Sequence, residues 1–371
     1  SMWLILAVCE YVKETGDTKY LHKQIAYLDG GKDSVYEHLK KAVAWYDLPE
    51  NYGEHGLPRI HHADWNDALN IPDEKAESVF MGMGICWAYG ELAALARFIG
   101  DIPFAEVLEL RKTALAKTVN ETSYNGEYYV RAFSKYGVVG DRSDENGGKI
   151  YVNPQSWAIL ADIVPAERLA SVLGAIDGME TKEGIPLCSP PYAAYDERVG
   201  RMSGMLPGVY ENGGIYNHAG CFKIMADCKL HRAEQAVGTF LKILPDGESN
   251  PSRLTTTEPY VFTNCYLKHP SVDMQVGFSW QTGTSAWGLK CYYEGILGLR
   301  RTYEGLKIEP VLPDSWKSVS AERVYRGNRL VIRYRNEQSG TVRLIVDGEP
   351  VEGNTVPAFS DSGTHIVEVC C

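Results

Sequence analysis

Apolar residues recur at helical spacing through most of the first 300 positions. Leu4, Val8, Tyr11 and Val12 share one face, and Gly16-Asp17 ends that run. Asp33-Ser34 caps a second run that carries Val35, Leu39, Val43 and Tyr46 on one side. The same spacing predicts helices over 76–99, 104–119, 154–163, 165–176, 218–230, 232–244 and 284–297. They fall in pairs, separated by Gly- and aromatic-rich stretches at 47–75, 121–153, 177–217 and 245–283. Connections of that length are usually functional. Their placement predicts a helical toroid whose loops gather at one face. After Gly305 the pattern changes to alternation, at 306–310, 324–333 and 340–346, with a turn at Asp347-Gly348-Glu349-Pro350. The reading is a helical unit over 1–305 and a small antiparallel β-sandwich over 306–371.

Composition narrows the partners. The 371 residues carry a formal net charge of -11, with 44% hydrophobic and 23% charged residues. Such a chain is ordinary for a globular protein and ill suited to a nucleic-acid backbone or an anionic membrane. No segment reads as a bilayer span, and the apolar run 2–8 reads as the buried face of a helix. Nine scattered cysteines without a CxxC pair predict reduced thiols and a cytoplasmic setting.

Three stretches carry the chemistry. The first is HHADWNDALN, 61–70. His61 and His62 are adjacent and diverge, no HxxxH follows, and the Asp64, Asn66, Asp67 spacing lacks the glycine and glutamate of a calcium loop. No metal is expected. A capped loop built on Asp64 is one reading. The other is a general acid, because a carboxyl kept from water beside an indole stays protonated near neutral pH. The second stretch is GVYENGGIYNH, 208–218, where Gly213-Gly214 admits close approach and His218 opens a helix, a position that favours anions. The third is SWQTGTSAW, 279–287, a hydroxyl-rich turn at another helix start. Ordinary Ser/Thr capping would explain it equally well.

Together GLPRIHHADWNDALN, ENGGIYNHAG and WQTGTSAW resemble the signature segments of glycoside hydrolase family 94, the inverting phosphorylases that include cellobiose and chitobiose phosphorylases. EYVKETGD, NPQSWAIL, EPYVFTNCY and YEGLKIEPVLP extend the resemblance over 3–315. It implies a mainly α fold, an (α/α)6 toroid followed by a β-sandwich. It implies Asp67 as general acid, with Asp64 in support. Trp65, Asn66, Glu211 and Tyr216 would bind sugar; His218, Thr282 and Gly283 would hold phosphate. The substrates implied are a β-linked disaccharide and inorganic phosphate, with no cofactor. The chain would be the C-terminal portion of a longer enzyme, homodimeric when whole, weak or inactive alone. His61-His62-Ala63 stands where many relatives carry Gly or Ser, which alters the acceptor rim.

Two rivals remain at this stage. An inverting hydrolase of glucoamylase type needs a second carboxylate as base, for which Glu211 is available. The other is an inactive carbohydrate-binding fragment.

Overall fold

A computed structural model describes residues 2–371. Its helices are α1 (Met2–Thr15), α2 (Val35–Trp45), α3 (Val79–Phe98), α4 (Ile102–Thr122), α5 (Val152–Leu160), α6 (Ala166–Asp177), α7 (Asn217–Lys229), α8 (Ala233–Ile243), the single turn α9 (Ser252–Thr255) and α10 (Thr284–Lys290). α10 continues as a π-helical turn over Cys291–Ile296. Side-chain caps start three of them: Ser34 accepts from the Glu37 amide, Ser78 from Met81 and Asp101 from Phe104.

α3 and α4 pack side by side, and α3 also touches α1 and α5. α3 is apolar on all sides because it is enclosed. By length and composition it meets the description of a bilayer span, contrary to the sequence expectation, yet 72% of its most apolar stretch is buried in protein. α7 is the second central helix, against α5, α8 and α10. In α1 the inward stripe is Met2, Ile5, Leu6, Val8, Cys9 and Val12; Leu4 and Tyr11, assigned inward by spacing, face out at 47% and 40% exposure.

The long connections contain short strands. Glu77–Ser78 pairs with Ala132–Ser134, which pairs with Gly137–Val139. Ile215–Tyr216 pairs with Thr263–Tyr266, which pairs with Val276–Ser279. These ladders satisfy loop backbone that burial would otherwise leave without partners.

The strand-rich part takes in Leu299–Arg301, earlier than the alternation suggested. That strand, Gly305–Ile308 and Thr355–Pro357 form one sheet. Ser318–Tyr325, Asn328–Arg335, Thr364–Cys370, Arg343–Val346 and Glu349–Val351 form the second. Both bury residues in one shared core, including Leu299, Leu306 and Val356 from the first and Leu330, Ile332 and Val367 from the second. The second sheet is mixed, because Asn328–Arg335 runs parallel to Thr364–Cys370; the expected all-antiparallel arrangement is corrected there. The stretch 324–333 is not one strand either. Arg326 and Gly327, with φ of 47° and 84°, turn the chain between two strands.

Charged groups join α1 and α10 to this part. Lys290 lies 3.1 Å from Glu10 and 2.7 Å from Glu294, Arg301 lies 2.8 Å from Glu10 and also pairs with Glu294, and Arg323 lies 2.7 Å from Glu14.

Candidate active site

The turn at 64–67 is braced from behind. The Asp64 carboxylate has no exposed surface and takes Nη2 of the equally buried Arg131 at 2.6 Å on each oxygen. It also accepts from Ser78 Oγ at 2.6 Å and from the Asn66 amide at 2.9 Å. Arg131 Nη2 donates on to Asn66 Oδ1 at 2.8 Å, and Asn66 Nδ2 donates to Glu211 Oε2 at 3.2 Å. The Ala68 amide reaches the same oxygen at 3.2 Å. A buried ion pair thus fixes an amide, which fixes a second carboxyl.

Asp64 is thus saturated by protein partners. Asn66, expected at the sugar, has no exposed surface and both amide ends engaged, by Arg131 and Glu211, so its side chain faces these two groups and not the cavity. Nothing in the local sequence marked Arg131, which lies 67 residues from Asp64.

Asp67 and Glu211 border one cavity of about 800 Å³, with Tyr210, Tyr216, Asn264, Phe278, Gln281 and Arg201. Its size and mixed lining suit a small polar ligand. Burial pushes the Glu211 carboxyl up to about 7, and the nearby Asp67 and Asp64 charges push the same way; the bonds from Asn66 and Ala68 oppose them. The shielded acid is therefore Glu211, whereas the sequence argument had placed shielding on an Asp beside Trp65. The reason is the direction of the indole. Trp65 packs edge-on against Tyr216, His218 and Phe222, at centroid distances of 5.5, 5.0 and 5.4 Å, while Asp67 is exposed.

The other two stretches meet beside this cavity. The Tyr216 hydroxyl accepts from Asn264 Nδ2 at 3.0 Å, and Asn264 Oδ1 accepts from Thr282 Oγ1 at 3.2 Å. Thr282 Oγ1 in turn accepts from the Thr284 amide at 3.0 Å. His218, in the first turn of α7, lies against Gly283: a Cβ on Gly283 would fall 2.4 Å from His218 Cε1. Gly283 has an ordinary φ of -66°, so room for the ring is what requires glycine. His218 is half-buried, its Nε2 has no partner among the described residues, and desolvation lowers its pKa to about 4. At neutral pH it is an uncharged imidazole with an open nitrogen, at a helix N-terminus. Asn264 and Gln281, which sequence reasoning passed over, sit within the EPYVFTNCY and SWQTGTSAW stretches. Among the described residues no three His, Cys, Asp or Glu side chains converge as a metal site would require.

Residues 1–298 match the catalytic domain of the glycosyl hydrolase 94 superfamily, and residues 299–352 match the C-terminal domain of glycosyl hydrolase family 65. The chain belongs to the glycosyl hydrolase 94 superfamily. It is 38% identical to a solabiose phosphorylase of Paenibacillus borealis, over 99% of this chain and 49% of that protein. It is 34% identical to a 3-O-beta-D-glucopyranosyl-beta-D-glucuronide phosphorylase of the same organism, over 94% of this chain and 46% of that protein. An N,N'-diacetylchitobiose phosphorylase of Vibrio proteolyticus is 28% identical over 99% of this chain and 46% of its own length. The chain thus spans about half the length of the curated relatives it matches. Among solved structures it resembles a sialidase, with a TM-score of 0.63 at 14% identity over 96% of this chain and 32% of that one. A GH78-family rhamnosidase of Bacillus sp. GL1 gives 0.60 at 16% identity over 99% and 34%. At such identities the likeness concerns the fold alone.

Proposed function

We propose that this chain carries the catalytic centre of an inverting phosphorylase, which converts a β-linked disaccharide and inorganic phosphate to an α-sugar 1-phosphate and a free sugar. Phosphate supplies its own negative charge, so the reaction needs an acid and a positioned anion but no strong base. A phosphate oxygen forms a bond to the anomeric carbon from the face opposite the leaving group. The bond to the bridging oxygen breaks, and Asp67 gives that oxygen its proton. A saccharide filling the cavity supplies the dry surroundings that the exposed Asp67 side chain lacks without it. Glu211 and Tyr216 hold sugar hydroxyls, and Trp65 shapes the subsite from behind. The His218 Nε2 and the Thr282-Gly283 turn hold phosphate.

The observation that carries this reading is the contact of His218 with Gly283, linked through Thr282 and Asn264 to the cavity of Asp67 and Glu211. It brings three distant stretches beside one cavity, with an unpartnered imidazole nitrogen among them. The phosphorylase relatives support the same chemistry. The wider reading follows: helices forming part of an (α/α)6 toroid, a sandwich beginning at residue 299, a homodimeric whole enzyme in the cytoplasm, and phosphate as substrate with no cofactor.

The hydrolase alternative is disfavoured by His218 beside the Thr282-Gly283 turn, an arrangement that suits phosphate better than water.

The test is phosphate release from α-glucose 1-phosphate and α-N-acetylglucosamine 1-phosphate with a panel of acceptor sugars. It is run on this chain and on a version extended toward the length of the relatives. Release that Asp67→Asn abolishes is expected. Disaccharide cleavage by the extended protein without any need for phosphate would replace the phosphorylase reading with the hydrolase one.

A further inference from the structure

The cavity of Asp67 and Glu211 has one wall that the chemistry above does not use. Tyr210 and Phe278 both line it, with ring centroids 5.3 Å apart and planes inclined by 36°. Phe278 is 60% exposed, although it is a large apolar side chain. Both residues hold left-handed backbone, with φ of 49° and 59°. Bulky residues adopt that region at a cost, and such strain collects where a side chain must be aimed. A seat is built for the Tyr210 ring as well. A Cβ on the neighbouring Gly277 would fall 2.5 Å from Tyr210 Cε1 and 2.7 Å from Cys265 Sγ, so only glycine leaves the ring its place. The rest of the lining is mixed: Asp67, Glu211, Arg201, Asn264, Gln281 and Tyr216 bring polar groups, and Met205, Ala68 and Gly204 bring none on their side chains.

We infer that Tyr210 and Phe278 form a stacking wall for the apolar face of a pyranose ring. A pyranose offers C–H groups on one face and hydroxyls around its rim. An aromatic wall in a cavity that also holds hydrogen-bonding groups matches that division, as in ligand pockets where a few polar groups set orientation within an apolar surround. The charge-free wall selects an uncharged ring portion. The carboxyls of the same cavity read the hydroxyls and deliver the proton. Phe278 therefore sets which sugar is held in register with Asp67; it takes no part in proton transfer. The inference deepens the phosphorylase reading but requires only that the cavity hold a sugar.

Calorimetric titration of the chain with cellobiose, N,N'-diacetylchitobiose and, separately, inorganic phosphate tests it. Phe278→Ala should weaken saccharide binding by about tenfold. Phe278→Trp should keep it within about threefold, and phosphate binding should be unchanged in both variants. Gly277→Ala, which displaces the Tyr210 ring instead, should reproduce the saccharide defect while phosphate binding reports that the fold is intact. Saccharide affinity that survives Phe278→Ala, or no saccharide binding by the unaltered chain, overturns the wall. Sugar binding that depends on Phe278, without any phosphate-dependent turnover in the extended protein, overturns the phosphorylase reading and leaves the wall standing.

Discussion

Asp64 and His218 are both polar side chains near Trp65, and they are treated in opposite ways. Asp64 receives Arg131, Ser78 and a backbone amide, all within 2.9 Å. His218 has an aromatic ring beside it, Gly283 against its ring and an Nε2 with no partner among the described residues. A buried polar group left open costs stability, so chains rarely keep one without use. The contrast separates scaffold from site better than residue type does. Two aspartates three positions apart in one turn differ in the same way, with Asp64 saturated and Asp67 exposed.

Breaking the saturated side should have the largest effect. Asp64→Asn leaves the Arg131 charge buried and uncompensated, at about 3–5 kcal/mol. Chemical denaturation should show that loss directly; a midpoint within error of the parent would mean that water or a new partner takes over. On the open side, Gly283→Ala pushes the imidazole out of line. Phosphate KM in the extended enzyme should rise by about a hundredfold, the scale of a displaced binding group, with little change in melting. A melting shift without a KM change would make Gly283 a packing residue only.

Glu211 lies between the two cases, buried but bonded on one oxygen. Its folded carboxyl keeps a proton up to about 7, while the ordinary value is 4.5. The unfolded chain thus releases its proton first as pH rises. The associated stability is present below about 4.5 and lost by about 7. Glu211→Gln should therefore stabilise the chain at pH 8 by about 1–3 kcal/mol and do nothing for it at pH 4. Melting curves at the two pH values decide the matter, and equal shifts would mean that the carboxyl is hydrated. The smallest effect sharpens the scaffold side. Ser78→Ala removes one of the donors to Asp64 and the cap of α3, at about 1–2 kcal/mol, with phosphate KM unchanged.

Helix positions were legible because caps and apolar spacing are local. Ser34 marks a start that the structure confirms, whereas the helix expected from 104 begins at Ile102, capped by Asp101; Val35, Leu39, Val43 and Tyr46 are the buried side of α2 and its end. Faces near a helix start were less legible, since Leu4 and Leu6 differ only in what surrounds them. Alternation at 324–333 signalled strand but not who pairs with it; the parallel partner lies in the last strand, and Arg326-Gly327 is a turn without the usual Asn-Gly or Asp-Gly signal. In the site, motif stretches located Asp67, Glu211 and His218. They were silent about Arg131, which lies 67 residues from its partner, and about which carboxyl burial would raise.

The charged lattice of Glu10, Glu14, Lys290, Glu294, Arg301 and Arg323 limits how the molecule can be rearranged. It ties the first helix and the last to the strands in a single electrostatic knot. Grafting the terminal unit of a relative at residue 298 would strand Glu10, Glu14 and Glu294 without Arg301 and Arg323. Such a chimera has to import matching basic residues along with the new strands. In the natural chain the two parts should melt in one calorimetric peak, because neither can leave without exposing the other's charges.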